Sequence, residues 1–137
     1  MLHSFSIQTQ SQTEFLDLTH QIQTIVSEHR IQNGLCQIFI PHTTAGITIN
    51  ENADPNVRQD MIMELNKVIP FNDHYRHMEG NSAAHIKSSL MGVSLSLIID
   101  QGRLILGTWQ GIYFCEFDGP RQRKVWVKLL EESNTSK

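Results

Sequence analysis

The sequence predicts a single α+β domain of mixed or antiparallel β-sheets, with two main helices and one short helix. Three observations carry that expectation. Strand-like and helix-like periodicities both occur, yet they do not alternate regularly as a doubly wound sheet requires. No internal repeat or linker-like stretch interrupts residues 1–137. The hydrophobic fraction of 39% and the charged fraction of 18% are globular values. A chain of this length buries a core without disulfide or metal staples.

The elements follow in order. Phe5, Ile7 and Thr9 alternate with Ser4, Ser6 and Gln8, the period of a half-buried strand. Ser11 and Glu14 have capping-box spacing, and a helix is expected next, with Phe15, Leu18, Ile22, Ile25 and Val26 on one stripe. Gly34 suits its stop or the turn beyond. Cys36, Ile38 and Ile40 alternate with Gln37 and Phe39, and another strand runs through Ile47 and Ile49. Asp54 and Pro55 open a second helix as cap and first-turn residue. Its expected buried side is Val57, Met61, Leu65 and Val68, and Pro70 ends it. Residues 71–81 form a polar loop. Asn81 or Ser82 caps a short helix reaching about Leu90, closed by Gly92. The rest reads as strands, with turns at 100–103 and 118–121, the second lying between runs 111–117 and 123–130. From about Glu132 the chain is polar and expected to fray.

The net charge is −3, and the one basic cluster is Arg121, Arg123 and Lys124. A dedicated nucleic-acid binder, whose affinity rests on phosphate neutralisation, is therefore not expected, whereas a local phosphate site is compatible. Cys36 and Cys115 sit in apolar runs and read as buried thiols of a reducing compartment. No apolar run approaches the ~20 residues of a membrane helix. Met1-Leu2-His3-Ser4-Phe5 lacks signal-peptide character, so the cytoplasm is the expected location.

Seven histidines are the main chemical signal. His3 lies at the N-terminal edge. His20 falls opposite the apolar stripe, as a solvated residue. His29 lies at the helix end, where it packs or complements the helix dipole. The other four fall in two polar clusters. One is Pro41-His42-Thr43-Thr44-Ala45-Gly46, continuing to Asn50-Glu51-Asn52-Ala53-Asp54-Pro55. The other runs from His74 through His77, Met78, Glu79 and Gly80 to Ala84-His85. Imidazoles with nearby carboxylates suit zinc or another borderline metal, and three histidines leave an open position for water or substrate. Hydrogen bonding within the loops, or general-base chemistry, is the other reading of the same residues. Phosphate-loop, dinucleotide and serine-elbow motifs are absent. Leu106-Gly107-Thr108-Trp109-Gln110-Gly111 carries glycines that suggest a bulge or a close backbone approach. Its Trp either stacks on a flat ligand while Gln reads a polar edge, or is a core residue beside a bend.

Several motifs together resemble the YjbQ-like family over roughly residues 5–130. They are His42-Thr43-Thr44-Ala45 with Asn50-Glu51-Asn52 and Asp54-Pro55, then His77 to His85 and Ile86-Lys87, then Gly107-Thr108-Trp109-Gln110, then Glu116-Phe117-Asp118-Gly119-Pro120-Arg121. The resemblance implies a compact α+β homotrimer with a histidine-lined site, a divalent metal in some members, and a secondary thiamine-phosphate synthase activity. Carried over by position, His42, His77 and His85 are the metal candidates, for zinc, or for magnesium if the synthase reaction holds. That reaction joins an aminopyrimidine diphosphate to a thiazole phosphate and releases pyrophosphate. On that reading Arg121 and Lys87 stabilise the diphosphate, Glu51 or Glu79 orients the aminopyrimidine, and Trp109 stacks on it. Asn50 joins the catalytic candidates, and Gln110, Thr43 and Thr44 the substrate-binding ones. The alternatives are another metal-dependent enzyme, such as a hydrolase using a metal-activated water, or a non-catalytic trimeric metal- or ligand-binding protein.

Overall fold

A computed structural model describes residues 2–133. The strands are β1 (Leu2–Gln8), β2 (Glu14–Asp17), β3 (Gly34–Phe39), β4 (Ala45–Glu51), β5 (Ser94–Asp100), β6 (Arg103–Leu104), β7 (Gln110–Glu116) and β8 (Gln122–Glu131). The helices are α1 (Thr19–Glu28), α2 (Pro55–Val68) and α3 (Ser82–Met91). Every strand pairing is antiparallel, in a five-stranded sheet of order β1-β8-β3-β5-β6 and a three-stranded sheet of order β2-β7-β4. The expected α+β class therefore holds. No helix among the described residues is long and apolar enough to cross a membrane.

The main core lies between the two sheets. Ile22 and Val26 of α1 meet Cys36 and Ile38 of β3, Ile47 of β4, Ile112 and Phe114 of β7, and Val125 and Val127 of β8. On the other face of the small sheet, Phe15, Tyr113 and Cys115 pack with Ala84 of α3 and, less deeply, with Met61 and Leu65 of α2. The central strand β7 is thus covered on both sides. That is why 111–115 reads as an unbroken apolar run while β3 and β8 alternate. Burial pushes the Cys36 thiol up to about 12 and raises Cys115 further, so both are inert as nucleophiles at neutral pH.

Three sequence expectations are corrected. The first helix does not begin after Ser11, because Glu14–Asp17 pairs with β7 as β2. Glu14 does bond back to the Ser11 amide, at 3.0 Å, as in a capping box. Phe15, however, is drawn into the second cluster, and the helix starts at Thr19, whose amide and hydroxyl are held by Asp17. Val68 is 66% exposed, and no residue of α2 is fully buried, because this helix lies over the edge of the second cluster. Finally, α3 is as long as α1, at 10 residues each, so the third helix is not the short one. The other signals hold: Asp54 caps α2 through the Asn56 amide, and Gly92, at φ +89°, closes α3. The polar tail expected from about Glu132 falls largely outside the described residues.

Candidate functional site

The loop 40–44 between β3 and β4 carries His42. Pro41 cannot donate to a ladder, so β3 ends there. The loop is fixed against the segment after α3 by Ile40 N–H to the Val93 carbonyl (2.7 Å) and by Ile47 N–H to the Gly92 carbonyl (2.9 Å). The Ser88 hydroxyl donates to the Ala45 carbonyl at 2.6 Å. Gly46 permits this approach: a Cβ there would lie 2.6 Å from the Gly92 oxygen. His85 precedes Ser88 by three residues and shares its helix face. A single cavity of about 530 Å³ is consequently lined by His42, Thr43, His85, Ser88, Ser89 and Val93.

On its other side, His42 borders a second cavity of about 470 Å³ with Phe39, Thr43, Thr44, Arg121 and Arg123. His42 Nε2 accepts the Lys124 amide at 2.9 Å, which leaves Nδ1 as its free ring nitrogen. Burial, then the charge of Arg123, holds this imidazole below its ordinary value, so it is neutral at pH 7. Arg121 reaches Asp118 through Nε to the carbonyl (2.9 Å) and Nη2 to the carboxylate (3.2 Å), and Asp118 also accepts from Asn81 (2.9 Å) at the start of α3. His85 borders a third cavity, of about 410 Å³, with Tyr75, Arg76, His77, Ser82 and Ile86. The His77 and His85 rings meet edge to face with centroids 5.5 Å apart, and His77 lies 3.4 Å from Glu79.

The expected metal candidates are therefore linked pairwise through His85. Among the described residues, no three His, Cys, Asp or Glu side chains are gathered closely enough to hold an ion. The donor types suit zinc, but their positions do not close around one.

The remaining expected site residues are dispersed. Lys87 is fully buried, bonded to Asn66 and lying 4.2 Å above the Phe71 ring, and burial lowers its ammonium pKa. Thr44 borders the second cavity, but its hydroxyl is engaged by Arg123 at 2.9 Å, whereas Thr43 borders both cavities. Asn50 and Glu51 lie at the far end of β4, beside Gln110 and Gly111 of β7. At ~3.4 Å per residue, the seven residues of β4 place them on the order of 20 Å from His42. Segment 107–110 is a turn closed by Gln110 N–H to the Gly107 carbonyl (3.1 Å). The Gln110 side-chain oxygen accepts the Gly107 amide at 2.7 Å and so belongs to that turn. Trp109 projects from it 63% exposed and is not a core residue. His20 is exposed on α1, and His74 lies in the loop before α3.

One group escaped the sequence reading. Glu116 and Arg123, 0% and 3% exposed, form an ion pair beneath the loop 40–44. Arg123 also donates to the carbonyl and hydroxyl of Thr44, while Glu116 accepts from the Thr9 hydroxyl (2.8 Å) and the Asp118 amide (2.9 Å). The available signal was a carboxylate ending an apolar strand that is buried on both faces.

A sequence model of the family described as UPF0047 protein YjbQ-like matches residues 3–132. UPF0047 protein YugU of Bacillus subtilis is 52% identical over 131 residues, covering 95% of this chain and 99% of its own. UPF0047 protein MJ1081 of Methanocaldococcus jannaschii is 52% identical over 130 residues, covering 95% and 94%. Among solved structures, an uncharacterised conserved protein of the same family from Clostridium acetobutylicum superposes with a TM-score of 0.92 at 54% identity, covering 93% and 99%. The conserved hypothetical protein TT1486 from Thermus thermophilus gives 0.87 at 43% identity, with the same coverage. With that breadth of match in both sequence and fold, the chain belongs to the UPF0047 YjbQ-like family.

Proposed function

We propose that the chain is an enzyme acting on a small phosphorylated substrate in the paired cavities around His42, with thiamine-phosphate synthase chemistry as the named candidate. The observation that carries this reading is that His42 and Thr43 line both cavities, one completed by Arg121 and the other by His85. Arg121 offers a fixed guanidinium for a diphosphate, and neutral His42, whose Nε2 lone pair is taken by the Lys124 amide, offers Nδ1–H as a hydrogen-bond donor. In the candidate reaction the bond from the pyrimidine methylene to oxygen breaks. Diphosphate leaves with the electron pair, and the thiazole nitrogen forms the new carbon–nitrogen bond. Charge builds up on the departing diphosphate, where Arg121 stabilises it.

The test is to incubate purified chain with an aminopyrimidine diphosphate, a thiazole phosphate and magnesium, and to quantify thiamine phosphate. Product should form, and Arg121→Ala should lower kcat/KM by roughly 10²-fold, as loss of an oxyanion-stabilising donor does. Product no faster than in the protein-free mixture would overturn the proposal. Elemental analysis of the same preparation tests the proposed divalent ion, zinc or magnesium. The ligand-binding alternative predicts phosphate binding with no turnover.

A homotrimer is part of this reading. Leu35, Ile98 and Leu130 are direct cross-strand neighbours on the outer face of the five-stranded sheet, at 44%, 58% and 49% exposure. An adjacent apolar trio of this kind favours burial against another chain. Light scattering should give about three times 15.7 kDa, and Ile98→Asp should reduce it. A single-chain mass at micromolar concentration sinks the trimer.

A further inference from the structure

We propose that His3 and His29, outside the cavities around His42 and His85, together bind a divalent ion of the cobalt-to-zinc class. His3 sits on the edge strand β1, paired with Val127 of β8, and its side chain shares the inward face with Phe5 and Ile7. There it meets His29, the residue that closes α1. The two rings have centroids 3.9 Å apart and planes inclined at 47°.

Both rings keep Nε2 without a hydrogen-bond partner among the described residues. His29 Nδ1 lies 2.8 Å from the Ile25 carbonyl. A carbonyl only accepts, so Nδ1 carries the proton and Nε2 presents its lone pair. Bound imidazoles are oriented by this same hydrogen bond to the backbone. His29 Nε2 has no hydrogen bond and is not among the buried unpartnered atoms, so solvent reaches it. His3 Nε2 is one of three buried side-chain polar atoms among the described residues that have no partner. Such an atom calls for a water or an ion.

The spacing is close to what an ion needs. Two imidazoles bound through Nε2 at ~2.0–2.1 Å would have ring centroids about 4.5 Å apart at a right angle and about 5.2 Å apart at the tetrahedral angle that zinc favours. From 3.9 Å the rings need to part by roughly 0.6–1.3 Å, which rotation about the χ angles of two side chains at an edge strand and a helix end supplies. Two imidazoles without a carboxylate favour a borderline transition ion over magnesium or calcium, with water filling the other positions. Such an ion would fasten β1 to the end of α1.

The experiment uses the full chain, stripped with chelator and titrated with Zn²⁺ alone or Co²⁺ alone. Binding is followed by calorimetry and thermal unfolding, and by the visible spectrum of Co²⁺. The proteins are the native chain, His3→Ala, His29→Ala, His29→Gln and the double variant His42→Ala/His85→Ala. Native chain and the double variant should both bind, with a melting temperature several degrees higher. Each variant at His3 or His29 should lose at least tenfold in affinity. His29→Gln retains a donor for the Ile25 carbonyl and guards against a folding failure. His29→Ala leaves His3 and the main chain around it intact, so its loss of binding would assign the ion to the pair. Equal affinity in His29→Gln and native chain, or no uptake by the double variant, overturns the proposal.

Discussion

Glu116→Ala is expected to destabilise the fold by about 3–5 kcal/mol, because it strands the Arg123 guanidinium in the interior. Nothing else among the described residues carries a negative charge within reach of that group, since its other partners are the carbonyl and hydroxyl of Thr44. Removing the carboxylate also releases the Thr9 hydroxyl and the Asp118 amide. Arg123→Ala should cost a similar amount for the converse reason. A Glu116→Met/Arg123→Leu double variant should cost less than the sum of the two, because no lone charge is then buried. Equilibrium urea unfolding measures all three, and additive single and double effects would mean that the pair is not coupled.

The same pair sets the acid limit of the fold. Burial alone would raise the Glu116 pKa, but hydrogen bonds from Arg123, the Asp118 amide and Thr9, with the Arg123 charge, outweigh it and hold the carboxyl below its ordinary value. A folded-state pKa below the unfolded value of ~4.3 means that the stabilisation is complete above that pH and is lost as pH falls through the folded pKa. Native protein should therefore lose stability steeply below about pH 4, whereas Glu116→Gln, weaker at every pH, should lack that component of the acid transition.

How much of this was readable beforehand depended on the range of the forces involved. Asp54-Pro55 and Gly92 act within a few residues, and the elements they bound appear where their chemistry places them. Phe15 illustrates the limit. Its spacing fits a helical stripe, but the ladder to β7 and the ring contacts with Tyr113 and Phe117 are long-range, and they won. The site divides in the same way. The motifs pointed to His42, His85 and Arg121, which do border shared space. They also pointed to Glu51 and Trp109, which lie at the other end of β4 because one extended strand separates them from His42. Sequence order holds no information on which end of a strand faces a cavity. The Glu116–Arg123 pair went unread because its partners lie up to 107 residues apart.

That division makes His85 and Glu51 the decisive comparison. His85→Ala should lower turnover by roughly 10²-fold, the cost of misplacing a substrate in the cavity that His85 completes, with the melting temperature little changed, because the helix is tied down by Ser88 and not by the imidazole. Glu51→Gln, on the order of 20 Å away along β4, should leave turnover within a few-fold if one chain holds the whole site. The two carboxylate oxygens of Glu51 accept no hydrogen bond among the described residues, so the amide substitution removes charge without removing a fold contact. Steady-state rates of both variants, measured beside their thermal unfolding, separate the outcomes. A loss with Glu51→Gln as deep as that with His85→Ala, in a protein that still melts normally, would refute the one-chain site. It would require the β4 end of one copy to complete the histidine cavity of another.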